Sequence, residues 1–143
     1  MQLTFEMDSD SQAITLLELN TFETFVGFPL PEDYRHHMLS YNGSMVVQDV
    51  KHVKYPDGGE GISYFDPIKY GSHTMEMVYA TLNGKIPSGY LSIGITDNEG
   101  HIIMSLNSGA TYGNIKEWFP DGEMLYLSPS FTQLLNDMEI RDY

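Results

Sequence analysis

Side chains able to do chemistry are present in this sequence, but they are not grouped in the way reactions require. Its histidines are His36, His37, His52, His73 and His101. On a helix the adjacent pair His36 and His37 would point about a hundred degrees apart, which suits poorly a shared metal ion and predicts surface or interface histidines. The other three stand singly, with no glutamate at metalloprotease spacing. Glu32 with Asp33 and Asp97 with Glu99 are paired carboxylates, the minimal equipment for acid–base work. Yet acids complement the dipole of a helix start, and acids suit a solvated turn tip, so neither pair needs catalysis to explain it. A Gly-x-Ser-x-Gly nucleophile elbow does not occur.

The glycine-rich stretch Asp57-Gly58-Gly59-Glu60-Gly61 invites a phosphate-binding reading. It fails because a phosphate cradle opens onto a helix and is completed by a lysine or hydroxyl, whereas these glycines are flanked by acids. The Asp/Asn alternation and distant glutamate of a calcium loop are also missing. Asn42-Gly43-Ser44 fits a glycosylation sequon, expected to be an accidental match because no secretory signal is expected. No catalytic residue, metal or cofactor is assigned.

Composition narrows the remaining choices. At 143 residues, 41% hydrophobic and 13% aromatic, the chain is predicted to fold as one globular domain. Without cysteine it has no disulfide and no thiolate metal site. Its first residues, Met1 to Asp8, carry neither a basic flank nor a long apolar run, so neither signal peptide nor membrane span is expected and the cytoplasm is the expected location. The net charge of −13 is spread along the chain, with ten acids and three bases in residues 1–60 and ten acids and four bases in residues 61–143. Such a field repels phosphate backbones and anionic membranes and speeds encounter with basic partners. Nucleic acid and membrane are therefore not expected as partners.

The elements that would carry these residues read as α+β. Thr15 and Glu18 form a capping box before Leu19, Phe22 and Val26 at helical spacing, and Gly27 is a stop, predicting a helix over about 15–26. A second begins near Pro31 with Glu32 and Asp33 in its first turn. It carries Tyr34, Met38 and Tyr41 on one buried face and closes at Asn42-Gly43. Met45 to Val50 is β-branched and predicts a strand, followed by a basic patch at Lys51-His52-Val53-Lys54. A lead-in strand is expected around Leu3, Phe5 and Met7, and another over Ile62–Phe65. Ser72 would cap a middle helix carrying Met75, Val78, Tyr79 and Leu82, ended by Asn83-Gly84. Tyr90–Ile95 and His101–Leu106, joined by Asp97-Asn98-Glu99-Gly100, predict a hairpin with Leu91, Ile93 and Ile95 on one face. Ile115–Phe119 adds a strand, and Ser128-Pro129 introduces a last helix over about 129–139 with Phe131, Leu134, Leu135 and Met138 buried. The fold class is thus a mostly antiparallel central sheet over about 44–127, with a helix pair over about 15–42, a middle helix and a C-terminal helix beside it.

The first half carries a specific combination: Phe22-Glu23 and Gly27, then Leu30-Pro31-Glu32-Asp33-Tyr34, then Tyr41-Asn42-Gly43. It resembles the amino-terminal signature of the SUKH superfamily, which includes fungal Smi/Knr cell-wall assembly regulators and many bacterial toxin-immunity proteins. Ile93-Gly94, Gly100, Trp118 and Ser130-Phe131 resemble the pattern of its second half, while Ser44 stands where a second glycine often follows. The resemblance implies one α+β domain without enzymatic activity that binds protein; a monomer or a homodimer is expected. For bacterial members it implies neutralisation of a cognate toxin, frequently a nuclease. A nuclease has a basic cleft, and a −13 partner complements it. Asp97, Asn98, Glu99, Glu117, Asp121 and Glu123, read as exposed, are the candidate contacts, with Tyr112 and Trp118 as aromatic anchors. Two alternatives are a scaffold or regulator of the Smi/Knr type without a toxin, and a small-molecule enzyme with a pocket between the helix pair and the sheet.

Overall fold

Helix α1 (Leu16–Val26) starts where the chain supplies both halves of a capping box. The Glu18 N–H donates to Thr15 Oγ1 at 3.1 Å, and the Thr15 N–H donates to Glu18 Oε1 at 2.9 Å. Gly27 ends it in the left-handed conformation. Helix α2 (Glu32–Ser40) follows with Pro31 as its N-cap and buries Tyr34 and Met38. The computed structural model describes residues 3–55 and 61–141, so most of the 57–61 loop lies outside the described residues.

Seven strands form one antiparallel sheet: β1 (Phe5–Met7), β2 (Ser44–Val46), β4 (Ile62–Phe65), β5 (Tyr90–Thr96), β6 (His101–Ser105), β7 (Ile115–Trp118) and β8 (Met124–Ser128), in that spatial order. A separate two-stranded sheet pairs β3 (Val50–His52) with β9 (Met138–Ile140). Helices α3 (Met75–Leu82) and α4 (Phe131–Asn136) complete a single α+β domain. One sheet face carries Leu91, Ile102, Met104 and Ile115 into a core shared with α1, α2 and α4. The opposite face carries Ile103 and Trp118 against Val78 and Leu82 of α3.

Several boundaries differ from the sequence expectation, each for a local reason. The predicted strand from Met45 to Val50 is broken into β2 and β3, which join different sheets. At the break the Gln48 side chain accepts from the Thr4 N–H at 2.9 Å and donates to Thr4 Oγ1 at 3.0 Å, drawing that segment toward β1. Lys51 and His52 are buried in β3 while Lys54 is exposed, so the basic stretch is only partly at the surface; Lys51 Nζ donates to Glu139 at 2.9 Å. Helix α3 is capped by Thr74, while the Ser72 N–H donates to Asp10. Helix α4 is capped by Ser130 and is shorter than expected, because Met138 opens β9 and Ser128 belongs to β8. A bulge between Ser92 and Gly94 turns Ile95 to the face carrying His101 and Ile103. Ile95 therefore leaves the side of Leu91, against the simple alternation.

Tyr41 is also corrected. It is the C-cap of α2 and exposed, and Asn42 beside it takes the buried place. The Asn42 amide group donates to the Gln12 carbonyl at 2.9 Å and to the Ile68 carbonyl at 2.8 Å, while its oxygen accepts the Ile68 N–H at 2.8 Å. Gly43 follows at φ +72, where a Cβ would stand 2.4 Å from Pro67 Cβ. The Asn-Gly pair thus joins three distant segments. Asn42→Leu leaves the Ile68 carbonyl and N–H unpaired in the interior and removes the part-buried bond to the Gln12 carbonyl, so it should lower unfolding free energy by roughly 3 kcal/mol. Urea denaturation checks this as a lower midpoint at unchanged slope. A midpoint equal to wild type would make the bridge dispensable.

Candidate functional site

Register places two hairpin tips side by side. Ile95 pairs with His101, His101 with Trp118, and Trp118 with Met124, so the 97–100 and 119–123 turns leave the same end of the sheet. In the first turn the Thr96 N–H donates to the Gly100 carbonyl at 2.9 Å and Glu99 takes φ 65. In the second the Phe119 N–H donates to the Glu123 carbonyl at 3.0 Å, and Asp121 Oδ1 accepts the Glu123 N–H at 2.9 Å. Asp97, Asn98, Glu99, Asp121 and Glu123 are all exposed there. Asp97 also supports the fold, since it accepts the Gly61 N–H at 2.9 Å and forms an ion pair with Arg141, which reaches Asp49 as well at 3.4 Å.

The other candidate contacts lie elsewhere. Glu117 is 1% exposed, on the sheet face that carries Ile102 and Ile115, where it accepts the Tyr55 hydroxyl at 3.0 Å. Gly100 admits it: a Cβ there would lie 2.5 Å from Glu117 Oε2. The expected surface acid is therefore an interior one. Trp118 is buried under α3 with its ring 5.7 Å from that of His101. Tyr112 lies near the opposite end of the sheet, in the β6–β7 connection, and donates to the Pro29 carbonyl at 2.7 Å. Neither aromatic stands beside the tips. The structure puts different apolar groups there: Met124, Leu125 and Tyr126 of β8, 47%, 37% and 43% exposed, directly after Glu123. The sequence Met-Leu-Tyr-Leu after Gly122 and Glu123 was the available signal, a short run of strand formers behind a turn.

The signature residues hold the helix pair together. Phe22, Leu30 and Tyr34 are core. Glu23 accepts the Leu30 N–H at 2.6 Å and pairs with Arg35, and the exposed Glu32 lies 3.5 Å from Arg35. Asp33 accepts both the N–H and the hydroxyl of Thr132 at 2.8 Å, tying α2 to α4.

Concave sites and catalytic pairs are poorly matched. A cleft of about 410 Å³ is lined by Val26, Phe28, Tyr79, Ile86, Tyr90 and neighbours, without a carboxylate or histidine. A second, of about 310 Å³, runs between Phe25, Phe22 and Lys69 and holds Glu18 and Glu76. Ser92 meets His101 Nδ1 and Ser128 meets His52 Nε2, both at 3.1 Å, yet both hydroxyls are buried away from these clefts. Among the described residues no group of three or more His, Cys, Asp or Glu could hold a metal ion, and no helix is long and apolar enough to cross a membrane.

Two groups, the buried Asp66 and the half-buried His37, each make folding depend on pH. Asp66 is interior with neither carboxylate oxygen bonded among the described residues, and burial pushes its carboxyl up to about 7. His37, expected at the surface or an interface, packs among Phe5, Tyr41, Phe65 and Phe131, and burial holds its imidazole down at about 4. For Asp66 the folding penalty is absent below the ordinary carboxylate value of 3.8 and complete above about 7, so stability is lost as pH rises through that window. For His37 stability is full above 6.5 and lost as pH falls toward about 4. Asp66→Asn should therefore stabilise the fold at pH 8, by at most about 4 kcal/mol, and hardly at pH 4. Thermal denaturation at both pH values checks it; an equal gain at both would contradict the assignment.

Comparison with family models matches residues 13–137 to the SMI1 / KNR4 family (SUKH-1). Comparison with curated proteins gives no match. The matched span runs from just before the capping box of α1 to the end of α4, taking in the helix pair, the Asn-Gly bridge and the hairpins. This chain belongs to the SMI1/KNR4 (SUKH-1) family.

Proposed function

We propose that this protein is a non-enzymatic binding module that holds and neutralises a basic protein toxin, with the two hairpin tips as its contact. The observation that carries the reading is the convergence of Asp97, Glu99, Asp121 and Glu123 at one sheet end. A cluster of carboxylates on a chain of net charge −13 attracts a cationic surface from a distance and speeds productive encounter. Met124, Leu125 and Tyr126 adjoin the acids, so steering charge and apolar contact area share one surface. Cationic nucleases suit this chemistry, since a phosphate-seeking cleft presents the lysines and arginines that the tips would engage.

The test is capture of partners from the native extract at low and moderate salt, with wild type beside a Glu99→Gln/Asp121→Asn/Glu123→Gln variant. Asp97 is left intact because it holds Gly61 and Arg141 in place. Wild type should retain one stoichiometric basic protein whose toxicity is lost on binding. The variant should bind it about tenfold or more weakly at low salt, with a shallower salt dependence. Unchanged affinity and salt dependence would remove the tips from the interface. Several weak partners and no protection of cells from the neighbouring gene's product would favour the regulator reading.

A further inference from the structure

The strand at the end of the sheet is built unlike a protected edge. β8 has β7 on one side and no strand on the other among the described residues. Edge strands are commonly blunted by a lysine, a proline or an inward charge, because their open amides recruit other chains. Residues 124–126 contain none of these and expose Met124, Leu125 and Tyr126 together. The backbone phase is fixed by the turn. The Phe119 N–H donates to the Glu123 carbonyl, so alternation along an antiparallel ladder aims the N–H and C=O of Met124 and Tyr126 away from β7. Side chains add to this open edge. Met124 and Tyr126 share the face of Trp118 and Lys116, and Leu125 projects on the other.

We propose that β8 is a docking strand to which an extended segment of the basic partner adds as the eighth strand of the sheet. The occupant is a β-forming segment with alternating apolar residues and lysine or arginine where it passes residues 121–123. Charge selects this occupant over a second copy of the chain, since two copies carry −13 each. Backbone pairing supplies affinity, while the flanking acids supply register and choice of partner. The proposal rests on the reading of the tips as the contact for a basic protein and adds the mode of binding.

The experiment uses the full chain and a blocked ten-residue peptide of alternating lysine and valine, with oligolysine of equal charge as control. Amide exchange is followed residue by residue. The alternating peptide should slow exchange at Met124 and Tyr126 about tenfold when about nine-tenths of the chain is bound, and oligolysine should not. Tyr126→Pro removes one outward N–H without touching the β7 ladder and should abolish that protection at Met124, whereas Tyr126→Thr, which keeps the N–H, should retain it. If Tyr126→Pro fails to fold, Met124→Pro, read at Tyr126, takes its place. Perturbation confined to residues 97–99 and 121–123 by both peptides would overturn strand addition and leave the tips as the contact. No response to either peptide would overturn both readings. Protection of Met124 and Tyr126 in the peptide-free chain, rising with its concentration, would assign the edge to self-association and overturn the proposal.

Discussion

One buried amide holds the halves of this domain in register. Asn42 makes its three hydrogen bonds to backbone groups at residues 12 and 68, replacing the strand or helix partners those segments lack. The chain entering α1, the end of α2 and the segment after β4 are thereby fixed to one another. Gly43 lets the backbone pass against Pro67 at a distance no side chain would permit. From that junction β2 enters the sheet between β1 and β4, and α2 lies over the core with Tyr34 beside Phe131. The helix pair therefore positions the sheet.

This division explains the character of the signature. Phe22, Gly27, Leu30, Pro31, Asp33 and Tyr34 cap, pack or tie helices together, so a pattern that identifies the family describes its scaffold. The tip turns are held by Thr96, Gly100, Phe119 and Asp121 together with the backbone groups of Glu99 and Glu123, while the Glu99 and Glu123 side chains take no part in those bonds. Binding surface of this sort can vary while the frame stays. On the proposed reading, stability and recognition occupy separate parts of the molecule, with Asp97 contributing to both.

Local chemistry was legible in the sequence where a short-range rule decides the outcome. The capping box, the Gly27 stop and the 97–100 turn each depend on residues within a few positions of one another. Long-range events were not legible. Nothing near Glu117 shows that Tyr55 and Gly100 will enclose it, or that Tyr41 yields the buried place to Asn42. The break after Val46 depends on Gln48 reaching Thr4, and the short C-terminal helix depends on Met138 pairing with His52. Ile95 was misplaced because one bulge reverses a two-residue period. The acidic tips were identified as residues but not as a cluster, since only register shows that both turns leave one end.

In the proposed contact, recognition is electrostatic first and apolar second: exposed carboxylates would attract, and Met124, Leu125 and Tyr126 would provide contact area once the partner arrives. The most direct measurement is zero-length carbodiimide cross-linking of the protein to its captured basic partner, with the joined carboxylates mapped by mass. Partner lysines should join to Glu99, Asp121 and Glu123. Cross-links concentrated instead on Glu18, Glu32 and Glu76, on the helical side, would contradict a contact at the tips.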